Sequence, residues 1–498
     1  MTVVLNSIDD FDLATLERVA VQGARARFGP QALTAISASH DAFKQFLATN
    51  PDAFVYGVTS DFGPHARNRV DPKKRRQRLS KGAPFLGLSF GDGVLGEAEV
   101  RALVFVLLAL MVRGGTAVHP ATAKALAAAL KGPMPQIPDA GLTSPGEMMP
   151  MFYLYRAVPE LLSGGLQASA GNTAATSVGM AGIAAIRSRR RLALAFKVFA
   201  LSAEAMSVPL EHFDPALKAL WGDPFEALAI DAFNHWLGGV PEAGRRTYQA
   251  PVSYRILPRV TGQGARAVSG LAGAVETALS SMVSNPMFIP PGPGGRARAI
   301  STGGYHSAPV AQCLDTVSAS WVDLAGIAHR HIVKLHQAGV SGLPDRLLPE
   351  GEAYWTGRST SYLEFVPNDM IDEMRRWAEP ALLSPGEPGA SFQDDVSAPG
   401  IIASRNEARV AVLFDRVLAV LAAVCSHALH VTGRKAPPKL KGFADAIAMR
   451  FPPIEEKRVL GEDAGALAAA LTEAVEQGND LLTGKDMKAS SLEPGGRR

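Results

Sequence analysis

Apolar residues return every three or four positions along most of the chain, with polar residues filling the other face. This spacing predicts helices over Ala98–Val112, Pro120–Leu130, Met148–Leu162, Arg189–Leu201, Ala265–Met282, Val310–Lys334, Asn368–Trp377 and Asn406–Val431. End signals support it: Thr143-Ser144 stands ahead of an acid at Glu147, and Gly114-Gly115 follows the first helix. Strand-like stretches are few, Val252–Val260 being the clearest and Phe54–Val58 a weaker one. The fold expected is mainly α. Helices such as Val310–Lys334 have apolar faces wide enough for the centre of a bundle or an oligomer interface. Loops are expected at Thr59–Pro84, Pro133–Pro145, Pro286–Tyr305 and Leu382–Ile401, where runs such as Pro290-Pro-Gly-Pro-Gly-Gly break helices. The Gly, Pro and charged residues of Thr59–Pro84 and Pro286–Arg298 would suit mobile lids. There is no internal repeat, and the tail after Ala489 is expected to be disordered.

Composition narrows the class. Of 498 residues 47% are hydrophobic and 19% charged, which suits a well-buried globular protein. Fifty basic against 47 acidic residues leave a formal charge of +3, so nothing favours nucleic acid as a partner. The short basic runs Lys73–Arg76 and Arg187–Arg191 read as solvated helix ends or contacts between subunits. Two cysteines, Cys313 and Cys425, are too few for a disulfide framework. The N-terminal residues carry acids where a secretion signal needs bases, and the longest apolar runs are too short to span a bilayer. The chain is therefore expected to be cytoplasmic, away from membranes. His329, His331 and His336 share one predicted helix without a carboxylate at ligand spacing, so they read as a solvated or interface face, and no metal is expected.

Five local runs carry more specific information. Tyr56-Gly-Val-Thr-Ser-Asp-Phe-Gly63 resembles the YGVNTGFG loop of the histidine/phenylalanine (aromatic amino acid) ammonia-lyase family. Gln249–Gly262, Ser301–Val310, Ser341-Gly-Leu-Pro344 and Gln393–Ser397 resemble four further motifs of that family, in the same order. The resemblance implies an elongated, mainly α homotetramer in which each active site takes loops from three subunits. On this plan residues 1–190 form a smaller N-terminal domain with the Tyr-Gly loop. Residues 191–455 form the central long-helix bundle, and 456–498 a C-terminal helix and tail.

In that family an Ala-Ser-Gly triad cyclises to methylidene-imidazolone, an electrophile that captures the substrate. The corresponding residues here are Thr143-Ser144-Pro145-Gly146. If Ser144-Pro145-Gly146 is the triad, its middle residue has no hydroxyl to eliminate. If Thr143-Ser144-Pro145 is the triad, the closing nitrogen belongs to proline, is tertiary and carries no N–H. The expected cofactor content is none, and Ser144 reads as a helix N-cap.

The resemblance implies roles for other residues. Tyr56 matches the base that takes a proton beside the departing amine, and Arg255 the arginine that grips the substrate carboxylate through a two-bond fork. Gln249 and Asn172 are candidates for orienting the substrate; Asn172 stands in Gly-Asn-Thr where the family usually has Asn-Gly-Thr. Tyr305 replaces a phenylalanine beside the cofactor and is a candidate proton donor. A family histidine becomes Phe90, and a second catalytic tyrosine falls at Val252, with Tyr254 two residues away on the expected strand. A loop carboxylate falls at Asp394 or Asp395. These features suit proton-transfer chemistry on a hydrophobic, carboxylate-bearing small molecule. A non-catalytic member that partners a true ammonia-lyase in a hetero-oligomer, and an ordinary ammonia-lyase, are the other two readings.

Overall fold

The computed structural model describes residues 1–71, 87–162, 171–292, 294–383, 389 and 394–478. The basic run Lys73–Arg76, Gln393 and the tail expected to be disordered lie outside the described residues. The longer helices, in chain order, are α1 (Pro30–Thr49), α2 (Glu97–Arg113), α3 (Pro120–Ala129), α4 (Met148–Ala157), α5 (Ala175–Ala205) and α6 (Pro224–Trp236). They continue with α7 (Leu257–Leu279), α8 (Ala308–His336), α9 (Val366–Trp377), α10 (Gly400–Val431), α11 (Lys441–Arg450) and α12 (Leu460–Gln477). Among the described residues three two-stranded sheets accompany them. They are a parallel pair, Thr2–Leu5 with Arg25–Phe28, and two antiparallel pairs, Phe90–Val94 with Pro138–Ala140 and Met287–Ile289 with Arg298–Ile300. The chain is thus mainly α. Among the described residues no helix is long and apolar enough to cross a membrane, and no cluster of three or more His, Cys, Asp or Glu could hold a metal.

The chain forms two compact units, and neither is one continuous stretch. The first comprises Met1–Ile186, Leu271–Leu314 and Pro380–Arg405; the second comprises Arg187–Gly270, Asp315–Glu379 and Asn406–Arg498. Segments 271–314 and 380–405, expected within a 191–455 bundle, therefore belong with the N-terminal residues.

In the first unit α2 is buried along its whole middle, Val100 to Val112. Its start is capped by the Glu99 carboxylate, which accepts the Gly96 N–H at 2.8 Å, and it stops at Gly114, whose φ of 89° suits glycine. The buried Arg101 on α2 donates to the carbonyls of Val19, Leu130 and Ala24, so its charge is spread over backbone dipoles. The start of α5 packs closely because its residues are small. A Cβ on Gly179 would lie 2.8 Å from the Leu103 nitrogen, and one on Gly182 2.9 Å from Leu16. A smaller core of Phe43, Val55, Ala117 and Phe288, with Phe43 edge-on to Phe288 at 5.1 Å, fixes the residue just before Tyr56.

The second unit is built on aromatic packing. Trp321 stacks on Phe414 at 5.3 Å and donates its indole N–H to Glu407 at 3.1 Å. Phe233 meets both Phe196 and Phe213, at 5.5 and 4.7 Å. Each fully buried ring of this kind contributes about 1.5–3 kcal/mol.

Several expectations are corrected. Val252–Val260 is helical: a short turn, Val252–Arg255, runs up to α7 at Leu257. Its β-branched and aromatic residues read as strand, but Pro251 caps the turn and Pro258 sits in the first turn of α7, where a missing N–H costs nothing. Phe54–Val58 is a turn, closed by the Val55 carbonyl accepting from Val58, Thr59 and Ser60 N–H groups. The helix expected over Met148–Leu162 ends at Ala157, just before Pro159, and resumes as a 3-10 turn. The run Arg187–Arg191 is not solvated throughout. Arg191 makes two bonds to Asp415, at 2.7 and 2.9 Å, and Arg190 donates to the carbonyls of Val475 and Glu476 at the end of α12. His331 and His336 are buried rather than on a solvated face.

Candidate active site

The first unit gathers three of the predicted site residues. Tyr56 sits in the turn anchored by Val55, with Thr59 holding that turn through its hydroxyl: it donates to Ala53 O at 2.7 Å and accepts the Val55 N–H at 2.8 Å. The half-buried Tyr56 ring meets Phe62 edge-on at 5.8 Å, and its hydroxyl oxygen accepts the Gly63 N–H at 3.1 Å. Because the oxygen accepts from the backbone, its own hydrogen is available to donate outward. Asp394, Tyr305 and Asp61 lie within electrostatic reach of Tyr56.

Burial raises the Tyr56 pKa above the ordinary 10.0; the Gly63 amide opposes this, and Asp394, Tyr305 and Asp61 add to it. Tyr305 is raised in the same way, by burial and then by Asp394 and Asp395. Asp394 is raised above its ordinary 3.8 by burial and by Asp395. The two phenols therefore keep their protons at neutral pH and donate, while Asp394 is a stronger base than a carboxylate in water. The resemblance implies a Tyr56 base. The acids that act on it most in this unit favour the protonated phenol instead, so its protonated form is the resident one.

The loop matching the cofactor triad lies in the same unit. Ser144 caps the 3-10 turn Pro145–Glu147, and its hydroxyl accepts the Met148 N–H at 3.0 Å. Gly146 has φ +68°, and a Cβ there would lie 1.5 Å from Asn172 Oδ1. Only glycine fits, and Asn172 lies directly against this loop. Asn172 Oδ1 is buried without a hydrogen-bond partner. Gly146 O accepts the Thr173 N–H at 2.9 Å. The residues fit the ring in neither register: if Pro145 supplies the closing nitrogen it carries no hydrogen, and if Gly146 supplies it the middle residue, Pro145, has no hydroxyl to eliminate.

Glu147 was read from sequence as a helix-capping acid, and the structure gives it a different place. It is fully buried, with Oε2 accepting the Ser177 N–H at 2.9 Å. Its Oε1 is buried without a hydrogen-bond partner. Burial pushes its pKa from 4.5 up to about 7, opposed by the nearby polar groups of Ser177, Ser307 and Thr176. A carboxyl whose pKa rises on folding holds its proton more tightly in the folded chain. Its contribution is neutral below about pH 4.5 and becomes a cost as pH rises through about 7. The cost reaches about 3 kcal/mol. Glu147→Gln is therefore expected to gain thermal stability relative to the native chain between pH 5 and pH 8. A Tm difference that stays flat across that range would contradict the assignment.

Phe90 lies on the Phe90–Val94 strand and is 76% exposed. Its neighbour Ser89 is buried, donating to Gly141 O at 3.3 Å and accepting the Tyr153 hydroxyl at 2.7 Å.

The remaining predicted residues belong to the second unit. Gln249 is exposed, and Val252 is 57% exposed. Arg255 is half-buried, with a buried Nε that has no hydrogen-bond partner. Beside it, His212 is lowered by burial and by the Arg255 charge. Tyr254 is corrected: it is on a helical turn and wholly buried, its ring stacked on His331 at 3.6 Å and 5°. Its hydroxyl lies 3.3 Å from Ser202 Oγ, which also bonds His331 Nδ1 at 3.0 Å. Burial pushes His331 down to about 3, so this ring is neutral and structural.

Known proteins resemble this chain over most of its length. The aromatic amino acid lyase family matches the chain over residues 11–159 and 166–449. A histidine ammonia-lyase of Symbiobacterium thermophilum is 26% identical over 95% of this chain and 97% of its own length. One of Streptomyces coelicolor is 27% identical over 81% and 83%. Among solved structures, the tyrosine aminomutase of Streptomyces globisporus superposes with a TM-score of 0.83 at 20% identity, covering 98% of this chain and all of that one. The ergothioneine-degrading ergothionase of Treponema denticola gives 0.83 at 15% identity, covering 96% and 99%. The structural likenesses establish the fold, and the family match covers most of the sequence: the chain belongs to the aromatic amino acid lyase family.

Proposed function

We propose that this protein is a lyase-family enzyme that works without methylidene-imidazolone. It catalyses proton transfer in an elimination, addition, cyclisation or isomerisation on a hydrophobic or aromatic carboxylate. The observation that carries the reading is the pairing of Pro145, which blocks the ring in either register, with a retained acid–base group of Tyr56, Tyr305 and Asp394. Without the electrophile an amine is a poor leaving group, so a substrate with a better one, or none, is favoured. Asp394 takes the proton and Tyr56 gives one, with Tyr305 as the second donor. The resemblance assigns the substrate carboxylate to Arg255, whose Nε is unpartnered. Phe90 and Val252 are exposed apolar side chains, one in each unit. The working form is read as a cytoplasmic homotetramer.

Binding of 3-phenylpropanoate and of its neutral amide, measured by calorimetry, tests the carboxylate grip. The native protein is expected to prefer the acid. Arg255→Ala is expected to lose about 10- to 100-fold in affinity for the acid and little for the amide. Equal binding of both by the native protein would sink the substrate class.

One observation favours the second reading, a non-catalytic partner of a true ammonia-lyase: burial, and after it the charge of Asp394, hold Tyr56 protonated, a form that cannot serve as the family's base. Native mass spectrometry of the protein from its own cells separates the two, a homotetramer supporting an enzyme and a stable hetero-oligomer supporting a partner. The names of the histidine ammonia-lyase relatives fit the ordinary ammonia-lyase reading, which requires the ring.

A further inference from the structure

Three long helices, α5, α8 and α10, of 31, 29 and 32 residues, begin at one point in the first unit. Ser177 lies in the first turn of α5. Ser307 opens α8, its carbonyl accepting the Ala311 N–H at 3.1 Å. Gly400 is the first residue of α10, and the Ala403 N–H donates back to Pro399 O at 3.0 Å. All three residues are buried. The first amides of a helix find no acceptor within it. Here two of them are served by side chains from other segments. The Gly400 N–H donates to Ser307 Oγ at 2.9 Å, and the Ser177 N–H to Glu147 Oε2 at 2.9 Å. The Ser177 hydroxyl donates to Ala174 O at 3.2 Å, which holds its rotamer. Between the two serines there is room for a hydrogen and not for a carbon. A Cβ on Gly400 would lie 2.4 Å from Ser177 Cβ and 2.6 Å from Ser307 Oγ. Gly400 is helical and outside the left-handed region, so close approach alone requires a glycine there.

We propose that Gly400 is a positioning residue: its seat between Ser177 and Ser307 sets where α10 starts, and with it where the Asp394 segment lies against the Tyr305 segment. Tyr305 precedes Ser307 by two residues, and Asp394 precedes Gly400 by six. The residues that join Gly400 to the Asp394 segment are stiff. Pro399 has a fixed φ and keeps Ala398 extended, and both are buried. A side chain at position 400 has to push α10 off Ser177 or turn the Ser307 hydroxyl away from the amide it accepts. Either movement passes back along 394–399. The inference rests on the proposed function only for the use made of Tyr305 and Asp394; the seat exists whether or not the enzyme turns over.

Hydrogen–deuterium exchange of the full-length protein, read by mass spectrometry, tests it without a substrate. In Gly400→Ala, peptides spanning 303–308 and 394–402 are expected to exchange about 5- to 50-fold faster, while those of α2 keep their native rates. Adding Ser177→Gly removes the carbon that the new methyl meets first. The double variant is expected to return both segments to within about threefold of native exchange. Ser307→Ala takes away the acceptor of the Gly400 N–H without any clash. It is expected to speed exchange at 394–402, and it carries the test if Gly400→Ala does not fold. Native exchange at both segments in folded Gly400→Ala, or at 394–402 in Ser307→Ala, would overturn the proposal. So would a double variant that exchanges as fast as Gly400→Ala, since a steric seat must be relieved when the opposing carbon is removed. Unchanged turnover in Tyr56→Phe, or equal binding of acid and amide, would count against the proposed function and leave these exchange results standing.

Discussion

Tyr56→Phe is expected to lower turnover by about 10²- to 10⁴-fold, with the fold left intact. The substitution keeps the ring that meets Phe62 edge-on and removes one oxygen, whose partner is the Gly63 N–H. The structural cost is that of one hydrogen bond at a half-buried site, about 1 kcal/mol. The chemical cost is larger because the hydroxyl is the proposed donor. The pH profile follows from the same cluster. Activity rises as Asp394 ionises, through a pKa above the ordinary 3.8, and falls only above pH 10, where the raised Tyr56 phenol loses its proton. In Asp394→Asn the acid limb is expected to disappear along with most of the activity. Undiminished turnover in Tyr56→Phe, once a substrate is in hand, would remove Tyr56 from the mechanism.

The largest stability loss is expected in the second unit, where Asp415→Ala should cost about 3–5 kcal/mol. Arg191 and Asp415 are both buried and share two bonds, at 2.7 and 2.9 Å. Burial pushes the Asp415 carboxyl up, and the guanidinium opposes that push. Removing the carboxylate leaves a cation in a dry place, with Glu407 and Glu476 as the remaining nearby acids. The loss comes from the stranded charge rather than from the worth of the pair. Arg191→Met/Asp415→Leu together should therefore unfold at a denaturant concentration much closer to the native one than Asp415→Ala does. A double variant as unstable as the single one would show that the pair itself supplies the stability.

How much of this was legible in the sequence depended on which physical signal each element carries. Helices with large apolar residues on one face, such as α8, were found to within a few residues. Helix α5 was found only from Arg189, although it starts at Ala175. Its first turns mix Ala, Gly, Ser and Thr with Val178, Met180 and Ile183 and are buried all round because neighbours approach their backbone, so the segment shows no amphipathic period. Helices α1 and α6 were missed for a related reason. On α1 the buried face includes Ser39 and His40 beside Ala32, Ile36 and Phe43, so polar residues interrupt the apolar stripe.

The site shows the same division. Motif order pointed to Tyr56, Tyr305 and Asp394, and the fold brings the three within electrostatic reach although Tyr56 is far in sequence from the other two. Tyr254 was misplaced because a strand was assumed where two prolines start helices. Glu147 was passed over because an acid after Ser-Pro-Gly reads as a cap. Its one hydrogen bond comes from Ser177, a partner no local pattern reveals, although its apolar flanks, Met148-Met-Pro-Met151, were a usable hint.

The central claim, that the Thr143–Gly146 loop stays uncyclised, is tested most directly by the intact mass of the purified protein, with the peptide containing residues 143–146 sequenced by fragmentation. The expected result is the mass computed from the sequence, with unmodified Thr143, Ser144, Pro145 and Gly146 in the fragment series. A mass short by two waters, with the loss located in that peptide, would contradict the account and make the protein an ordinary member of the amino-acid ammonia-lyases.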